Sequence, residues 1–398
     1  MIHSKSKRLF NFIGFWIAIL LILNGCIPSL DKYIQPEIDR ISAKWVPDLR
    51  EGLCNVTAIR GEGGLVIIRG ETTIPQAKIE IIKTLNKKGI TLIDSIITLP
   101  DTAKNDKYTG LVTLSVINLR KLPDHASELV SQAILGTPVM ILKEEGSWLL
   151  IQTPDKYISW TEKSSVKLLT RSEISAWKKS ERVIYMENTG WIYSSPDESG
   201  VIGDIVAGSI LQKEGESKGY AKVILPDGRK GFVDSNKLED FQIWKTRVQC
   251  TDENICRVAS TFLGLPYLWG GSSTKAVDCS GFVQSVYFRN GIILSRDASL
   301  QALHGFAVDI SGGTGQLKKG DLLFFGTRRN ATPHVTHTAI YLGNSEYINS
   351  SGRVMINSFD STRANFGSSR KKSLLAARRI LDFEDDKGIV PVSKHEWY

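Results

Sequence analysis

Five cysteines and six histidines are the residues of this 398-residue chain best suited to covalent and acid–base chemistry. The cysteines are Cys26, Cys54, Cys250, Cys256 and Cys279; the histidines are His3, His125, His304, His334, His337 and His395. Cysteine catalysis needs a thiolate, a base to form it and a third group to orient the base. A free thiol is mostly protonated at neutral pH, and a helix N-terminus or an adjacent imidazolium lowers its pKa. The run Asp278-Cys279-Ser280-Gly281-Phe282 sets Cys279 where a helix begins. Phe282, Val283, Val286 and Tyr287 recur at helical spacing after it, and Asn290-Gly291 ends the run. A cysteine is also a small apolar core residue, but a turn-flanked one before Ser-Gly is less typical of that use.

The base must be a histidine. His3 lies in the leading segment, His395 in a polar tail from about Asp382, and His125 beside a proline turn. His337 opens a strand on which Ala339 and Tyr341 share its face by period-two alternation. His334 follows Pro333 in a loop and competes for the role. Asn349 lies on the next strand, twelve residues after His337. A short Gly343-Asn344-Ser345 hairpin brings the two strands together, so that Asn349 accepts a hydrogen bond from the imidazole and fixes its tautomer.

The elements that position these residues fill the last part of the chain, residues 249–385. Thr251-Asp252-Glu253 starts a helix whose buried face is Ile255, Val258, Ala259, Phe262 and Leu263, and Gly264 and Pro266 stop it. Asp321–Phe325, His337–Leu342 and Glu346–Asn349 read as successive strands, and Leu374–Ile380 supplies another. Two all-β segments precede this unit, at 108–170 and 182–240. They share an echo: the stretch from Trp148 to Trp160 aligns with that from Tyr220 to Phe232, each a strand, a Pro-Asp turn and an aromatic-ending strand. Short strands in repeated units of roughly 60 residues predict two small barrels, with Val139–Leu142 and Ile210–Gln212 as matching strands.

Further upstream, 27–107 reads as a polar tether to about residue 50 and a small α/β unit. Its strands are Leu65–Gly70 and Ile90–Leu99. They flank a helix over Thr73–Lys87 with Ile79, Ile82 and Leu85 on its apolar face. In segment 1–26, Lys5, Lys7 and Arg8 precede an apolar stretch from Phe10 to Leu23, the pattern of a signal peptide. It ends in Leu23-Asn24-Gly25-Cys26, which resembles the bacterial lipoprotein box, in which the cysteine thiol receives a lipid. The expectation is a cell-envelope protein, periplasmic and anchored to a membrane through Cys26. An oxidising compartment permits a disulfide among Cys54, Cys250 and Cys256, with connectivity open.

Composition is that of a globular protein, 42% hydrophobic and 23% charged, and the length allows two to four domains at roughly 150 residues each. The net charge of +8 suits an anionic polymer. No basic run is interleaved with aromatics, so nucleic acid is not the expected partner. No Cys/His cluster has zinc spacing, so neither a metal nor another cofactor is expected.

Four motifs together resemble the NlpC family of papain-like cysteine peptidases, which act on bacterial cell walls. They are the loop Tyr267-Leu-Trp-Gly-Gly271, Asp278-Cys-Ser-Gly-Phe282, Gly320-Asp-Leu-Leu-Phe-Phe325 and His337-Thr-Ala-Ile-Tyr-Leu-Gly343. The barrels resemble bacterial SH3 domains. The resemblance implies an α+β fold: a papain-like catalytic domain preceded by two SH3-like barrels and the α/β unit. It implies Cys279 as nucleophile and His337, rather than His334, as base. Many members carry a second histidine where Asn349 stands, a departure that bears on the third catalytic position.

Two SH3 domains ahead of such a catalytic domain resemble the γ-D-glutamyl-L-diamino acid endopeptidases. These cut peptidoglycan stem peptides, favour stems with a free N-terminal L-alanine, and take fragments of the kind met in murein recycling. The first SH3 domain helps close their cleft. The resemblance implies that Asp278 and an acidic residue of the first barrel hold the substrate amine. Glu128 is the candidate, and Tyr157 the aromatic residue that narrows the cleft. Ser280 and the Tyr267 hydroxyl contact substrate, while Trp269 packs. Two other readings stand beside this one: an endopeptidase or amidase acting on the intact sacculus, and a wall-binding lipoprotein without catalysis.

Overall fold

The computed structural model describes residues 30–62, 65–102, 106–330, 332–381, 383 and 388–398. Cys26 and the lipid-box motif lie outside them. The chain divides into two compact units, one reaching Leu99 and one from Pro100 to Tyr398. Among the described residues no helix is long and apolar enough to cross a membrane.

In the first unit, helix α1 (Gln35–Trp45) precedes strands β1 (Cys54–Arg60) and β2 (Val66–Thr72), helix α2 (Pro75–Lys87) and strand β3 (Leu92–Thr98). β1 pairs antiparallel with β2, and β2 pairs parallel with β3 through the α2 crossover. Two readings need correction. Part of the expected tether is helical, because Ile38 and Ile41, three apart, bury one face of α1. The buried row of α2 is Ala77, Ile81 and Leu85 at four-residue spacing, whereas Ile79 is 63% exposed.

The second unit holds two seven-stranded SH3-like sheets and the catalytic fold. The first sheet comprises β4 (Thr109–Val112), β5 (Val116–Arg120), β6 (Leu129–Ile134), β7 (Pro138–Glu145), β8 (Trp148–Gln152), β9 (Ile158–Glu162) and β10 (Val166–Leu169). After helix α3 (Arg171–Lys179), the second comprises β11 (Arg182–Tyr185), β12 (Thr189–Tyr193), β13 (Val201–Val206), β14 (Ile210–Ser217), β15 (Tyr220–Ile224), β16 (Lys230–Asp234) and β17 (Leu238–Asp240). The repeated turns join β8 to β9 and β15 to β16. Each sheet has its own core, around Leu119, Leu149 and Ile151 in one and Ile192, Val223 and Val233 in the other.

Helix α4 (Phe241–Arg247) leads to α5 (Asp252–Ser260), capped by Thr251 Oγ1, which accepts from the Asn254 N–H. α5 ends before Leu263, which is exposed rather than buried. A two-strand ribbon, β18 (Ser272–Ser273) and β19 (Ala276–Val277), precedes α6 (Cys279–Phe288). Then follow β20 (Ile292–Leu294), α7 (Ala298–Gln301), β21 (Phe306–Val308), β22 (Leu322–Arg329), β23 (Thr332–Gly343), β24 (Glu346–Ser351), β25 (Arg353–Ser358), α8 (Ser368–Ser373), β26 (Leu374–Arg379) and β27 (Ile389–Pro391).

The main sheet has the order β21-β26-β22-β23-β24-β25. α6 packs on β23 and β24, and Phe282, Val283 and Val286 meet Phe324, Ile340 and Ile348 in one core. The expected polar tail is another correction. β27 pairs with β20, and Val392 and Tyr398 are buried in a cluster with Trp177, Phe241 and Trp244. Few apolar residues mark this segment, but they meet a surface that the two barrels and the catalytic fold supply together.

Candidate active site

Cys279 is the first residue of α6, and Asp278 caps the helix: its Oδ1 accepts from the Gly281 N–H at 2.7 Å. The glycine is required by a close approach, since a Cβ there would lie 2.0 Å from the Gly271 carbonyl oxygen. This contact seats the helix start against the Tyr267–Gly271 loop. The backbone N–H groups of Ser280 and Thr338 lie within hydrogen-bonding reach of the Cys279 sulfur. Thr338 follows His337 on β23, so the thiol sits at the histidine's own strand.

His337 is buried, and its Nε2 lies 2.9 Å from Asn349 Oδ1. The hairpin between them turns at Asn344 and Ser345, both with positive φ. The amide orientation follows from the next partners. Asn349 Nδ2 donates to Asn357 Oδ1 at 2.9 Å and to the Met355 carbonyl at 3.3 Å. Its oxygen therefore faces the ring, Nε2 must carry the proton, and Nδ1 keeps its lone pair. Asn357 escaped the sequence reading. It is a diagonal cross-strand neighbour of Asn349, because β24 and β25 pair Asn349 with Met355. His334, by contrast, is exposed on β23, not in a loop.

Protonation differs from the sequence expectation. Burial, with Asp278 adding to it, pushes the Cys279 thiol up to about 11 against the two N–H groups and Arg296. Burial and then the Arg370 charge push His337 down to about 4, against Asn349 and Asp278. A helix N-terminus is thus outweighed by removal of the thiol from water, and both groups are neutral at pH 7.

Beneath the pair lies a buried polar network that the sequence did not reveal. Arg296 is 1% exposed and grips Asp278 through both ends of its fork, Nη2 to Oδ2 at 2.6 Å and Nη1 to Oδ1 at 3.2 Å. Its Nη1 also donates to Ser280 Oγ, and its Nε to Ser131 Oγ on β6 of the first barrel, both at 2.9 Å. Burial opposes its charge, but Asp278 outweighs burial and keeps the guanidinium ionised. Ser280 donates in turn to Asp278 Oδ1 at 3.2 Å.

The first barrel reaches this loop directly. The Gly270 N–H donates to Asp278 Oδ2 at 3.0 Å, and the indole of Trp269 donates to Glu128 Oε1 at 3.0 Å. Consecutive loop residues thus bind the two carboxylates singled out from the sequence. Trp269 does not pack as expected: it is 62% exposed, and its N–H serves Glu128. Gly270 has positive φ, and a Cβ there would meet the Leu129 carbonyl oxygen at 2.5 Å. Gln132 adds a further clasp, accepting from the Ser272 N–H at 3.1 Å. Tyr267 is half-buried, and burial, then the Cys279 and Asp278 charges, raises its hydroxyl to about 12. Tyr157 is buried within the electrostatic field of Arg296.

Cys54, Cys256 and Cys279 are free thiols. Among the described residues, no group of three or more His, Cys, Asp or Glu side chains is placed to hold a metal ion.

Residues 264–371 match the model of the NlpC/P60 family, and residues 119–166 match that of the bacterial dipeptidyl-peptidase Sh3 domain. A γ-D-glutamyl-L-lysine dipeptidyl-peptidase of Bacillus cereus is 30% identical over 235 residues, 57% of this chain and 68% of the relative. Dipeptidyl-peptidase 6 of Lysinibacillus sphaericus is 30% identical over 262 residues, 63% of this chain and 92% of the relative. In fold, the chain is similar to the crystal structure of an NlpC/P60 family protein from Bacillus cereus. The TM-score is 0.59 at 22% identity, covering 68% of this chain and 99% of that one.

Proposed function

The chain belongs to the NlpC/P60 family of cysteine peptidases, and from that premise we propose that it cleaves peptidoglycan stem peptides between γ-D-Glu and the following diamino acid. In this reading Cys279 is the nucleophile, His337 the base and Asn349 the residue that holds the imidazole. His337 Nδ1 takes the thiol proton as the sulfur attacks the γ-carbonyl carbon. The oxyanion draws on backbone amides beside Cys279, such as that of Ser280. His337 then protonates the departing amine of the diamino acid. Water hydrolyses the thioester, releasing L-Ala-γ-D-Glu and restoring the thiol.

The observation that carries the reading is the pair of carboxylates tied to Trp269 and Gly270, next to the start of the nucleophile's helix. An ammonium leaving water needs compensating negative charge. Asp278 comes to the site paired with the buried Arg296, whereas Glu128 faces only the exposed Lys121 at 3.8 Å, so Glu128 is the carboxylate more open to the substrate amine. Tyr267, Ser280 and Tyr157 complete the walls of this amine-binding end. An N-acetylated stem lacks the charge and places an uncharged amide against Glu128, so kcat/KM should fall at least about 100-fold. The test is digestion of L-Ala-γ-D-Glu-diamino acid peptides, free and N-acetylated, with products identified by mass. Equal cleavage of both removes the amine-binding roles, and release of material from intact sacculi favours the sacculus-acting alternative.

The lipid box supports a location in the cell envelope, periplasmic and anchored by acylation of Cys26. Palmitate label on the protein that is lost in Cys26→Ser is the expected result, and label retained in that variant excludes the anchor at this residue.

A further inference from the structure

Around the far end of the His337 strands, three arginines already have partners. Arg363 pairs with Glu346 and Asp360, Arg379 with Asp321, and Arg378 donates to the Ala302 carbonyl. Arg370 is different. It is half-buried on α8 and has no carboxylate partner among the described residues. Its guanidinium stands 5.7 Å from the centroid of the Phe325 ring, a cation–π distance. Phe325 is the direct cross-strand partner of His337, and the two rings lie 5.8 Å apart. Among the described residues its side chain makes one hydrogen bond, a long one, Nη2 to Ser351 Oγ at 3.5 Å. Ser351 is two residues beyond Asn349 and so on the same face of β24.

A guanidinium without an anion, held on an aromatic ring at the base's side, is a fork prepared for a carboxylate. It also places positive charge where it acts on His337 and on Tyr267, so its field extends to the reacting groups. The other end of the site carries the opposite sign, at Glu128. We infer that Arg370 is a specificity-determining residue that pairs with a substrate carboxylate flanking the scissile amide. The inference rests on the γ-glutamyl reading above, in which two carboxylates are close to that amide: the α-carboxylate of D-Glu and the carboxylate of the diamino acid. The site thereby complements a zwitterionic peptide, with an ammonium at one end and a carboxylate at the other.

Four peptides separate the sources. They are L-Ala-γ-D-Glu-L-Lys, the same peptide with the D-Glu α-carboxylate amidated, the same with the lysine carboxylate amidated, and the doubly amidated peptide. The unaltered full chain should lose roughly 10- to 100-fold in kcat/KM on one of the two single amidations, which identifies the recognised group. Arg370→Gln should lose a similar factor on the parent peptide and become indifferent to that amidation, whereas Arg370→Lys should keep part of the preference. The preference is a ratio within one variant, so a general loss of activity or folding does not imitate it. An undiminished carboxylate preference in Arg370→Gln, or none in the unaltered chain, overturns the assignment while leaving the γ-glutamyl reading intact. Failure of the unaltered chain to cleave any of the four peptides overturns that reading, and the substrate assigned to Arg370 with it.

Discussion

Cys279→Ala removes hydrolysis of the γ-glutamyl amide, a loss of at least about 10⁴-fold, while the unfolding midpoint stays close to that of the unaltered chain. The loss is large because no other described thiol shares the Ser280 and Thr338 amides and the His337 strand. The fold survives because only a sulfur is removed from a core otherwise held by Phe282, Val283 and Val286. The same geometry gives the pH dependence. The competent state has a neutral imidazole and one transferable proton on the thiol. Acid inactivates the site by protonating His337, whose pKa burial lowers to about 4 from the usual 6.5. Alkali acts through Cys279, raised to about 11. kcat/KM, which reports the free enzyme, should therefore rise through a single step near pH 4 and stay level across neutrality. A rise near pH 6.5 in stopped assays of peptide release excludes the buried neutral pair, and activity retained by Cys279→Ala excludes the nucleophile.

That pH profile marks the boundary of what local pattern can tell. The helix start at Cys279 and the alternation around His337 were legible because each is a short-range feature. The hairpin through Asn344 was legible for the same reason. The protonation states were not, since they depend on how much water the assembled walls exclude. Arg296 was hidden for a related reason: nothing periodic links it to Asp278 eighteen positions earlier, or to Ser131 in another domain. Trp269 read as a packing residue because an aromatic ring is apolar by type, but here its N–H binds Glu128 at the surface. The segment around Tyr398 read as a tail because its burial depends on aromatic partners from three separate parts of the chain.

Arg296→Met should lower the unfolding free energy by about 3–5 kcal/mol, measured by urea denaturation, and should reduce activity as well. The cost comes from what remains. Asp278 keeps its carboxylate in a nearly dry site with only the Gly270 and Gly281 amides and Ser280 to answer it. Such a group takes up a proton or admits water, and either response disturbs the cap of the helix that carries Cys279. Removing both charges, as Arg296→Met with Asp278→Asn, should return part of the loss, because the amide still caps the helix and no ion is stranded. Ser131→Ala should cost only about 1 kcal/mol, since it removes the bond from Arg296 Nε and a long one to the Gln132 carbonyl and leaves the ion pair intact. A single Arg296→Met variant within about 1 kcal/mol of the unaltered chain excludes the pair as a structural element. If the pair does hold, Asp278 carries no net charge into the cleft. Selection of a free amine then falls to Glu128, and the first barrel becomes part of the active site.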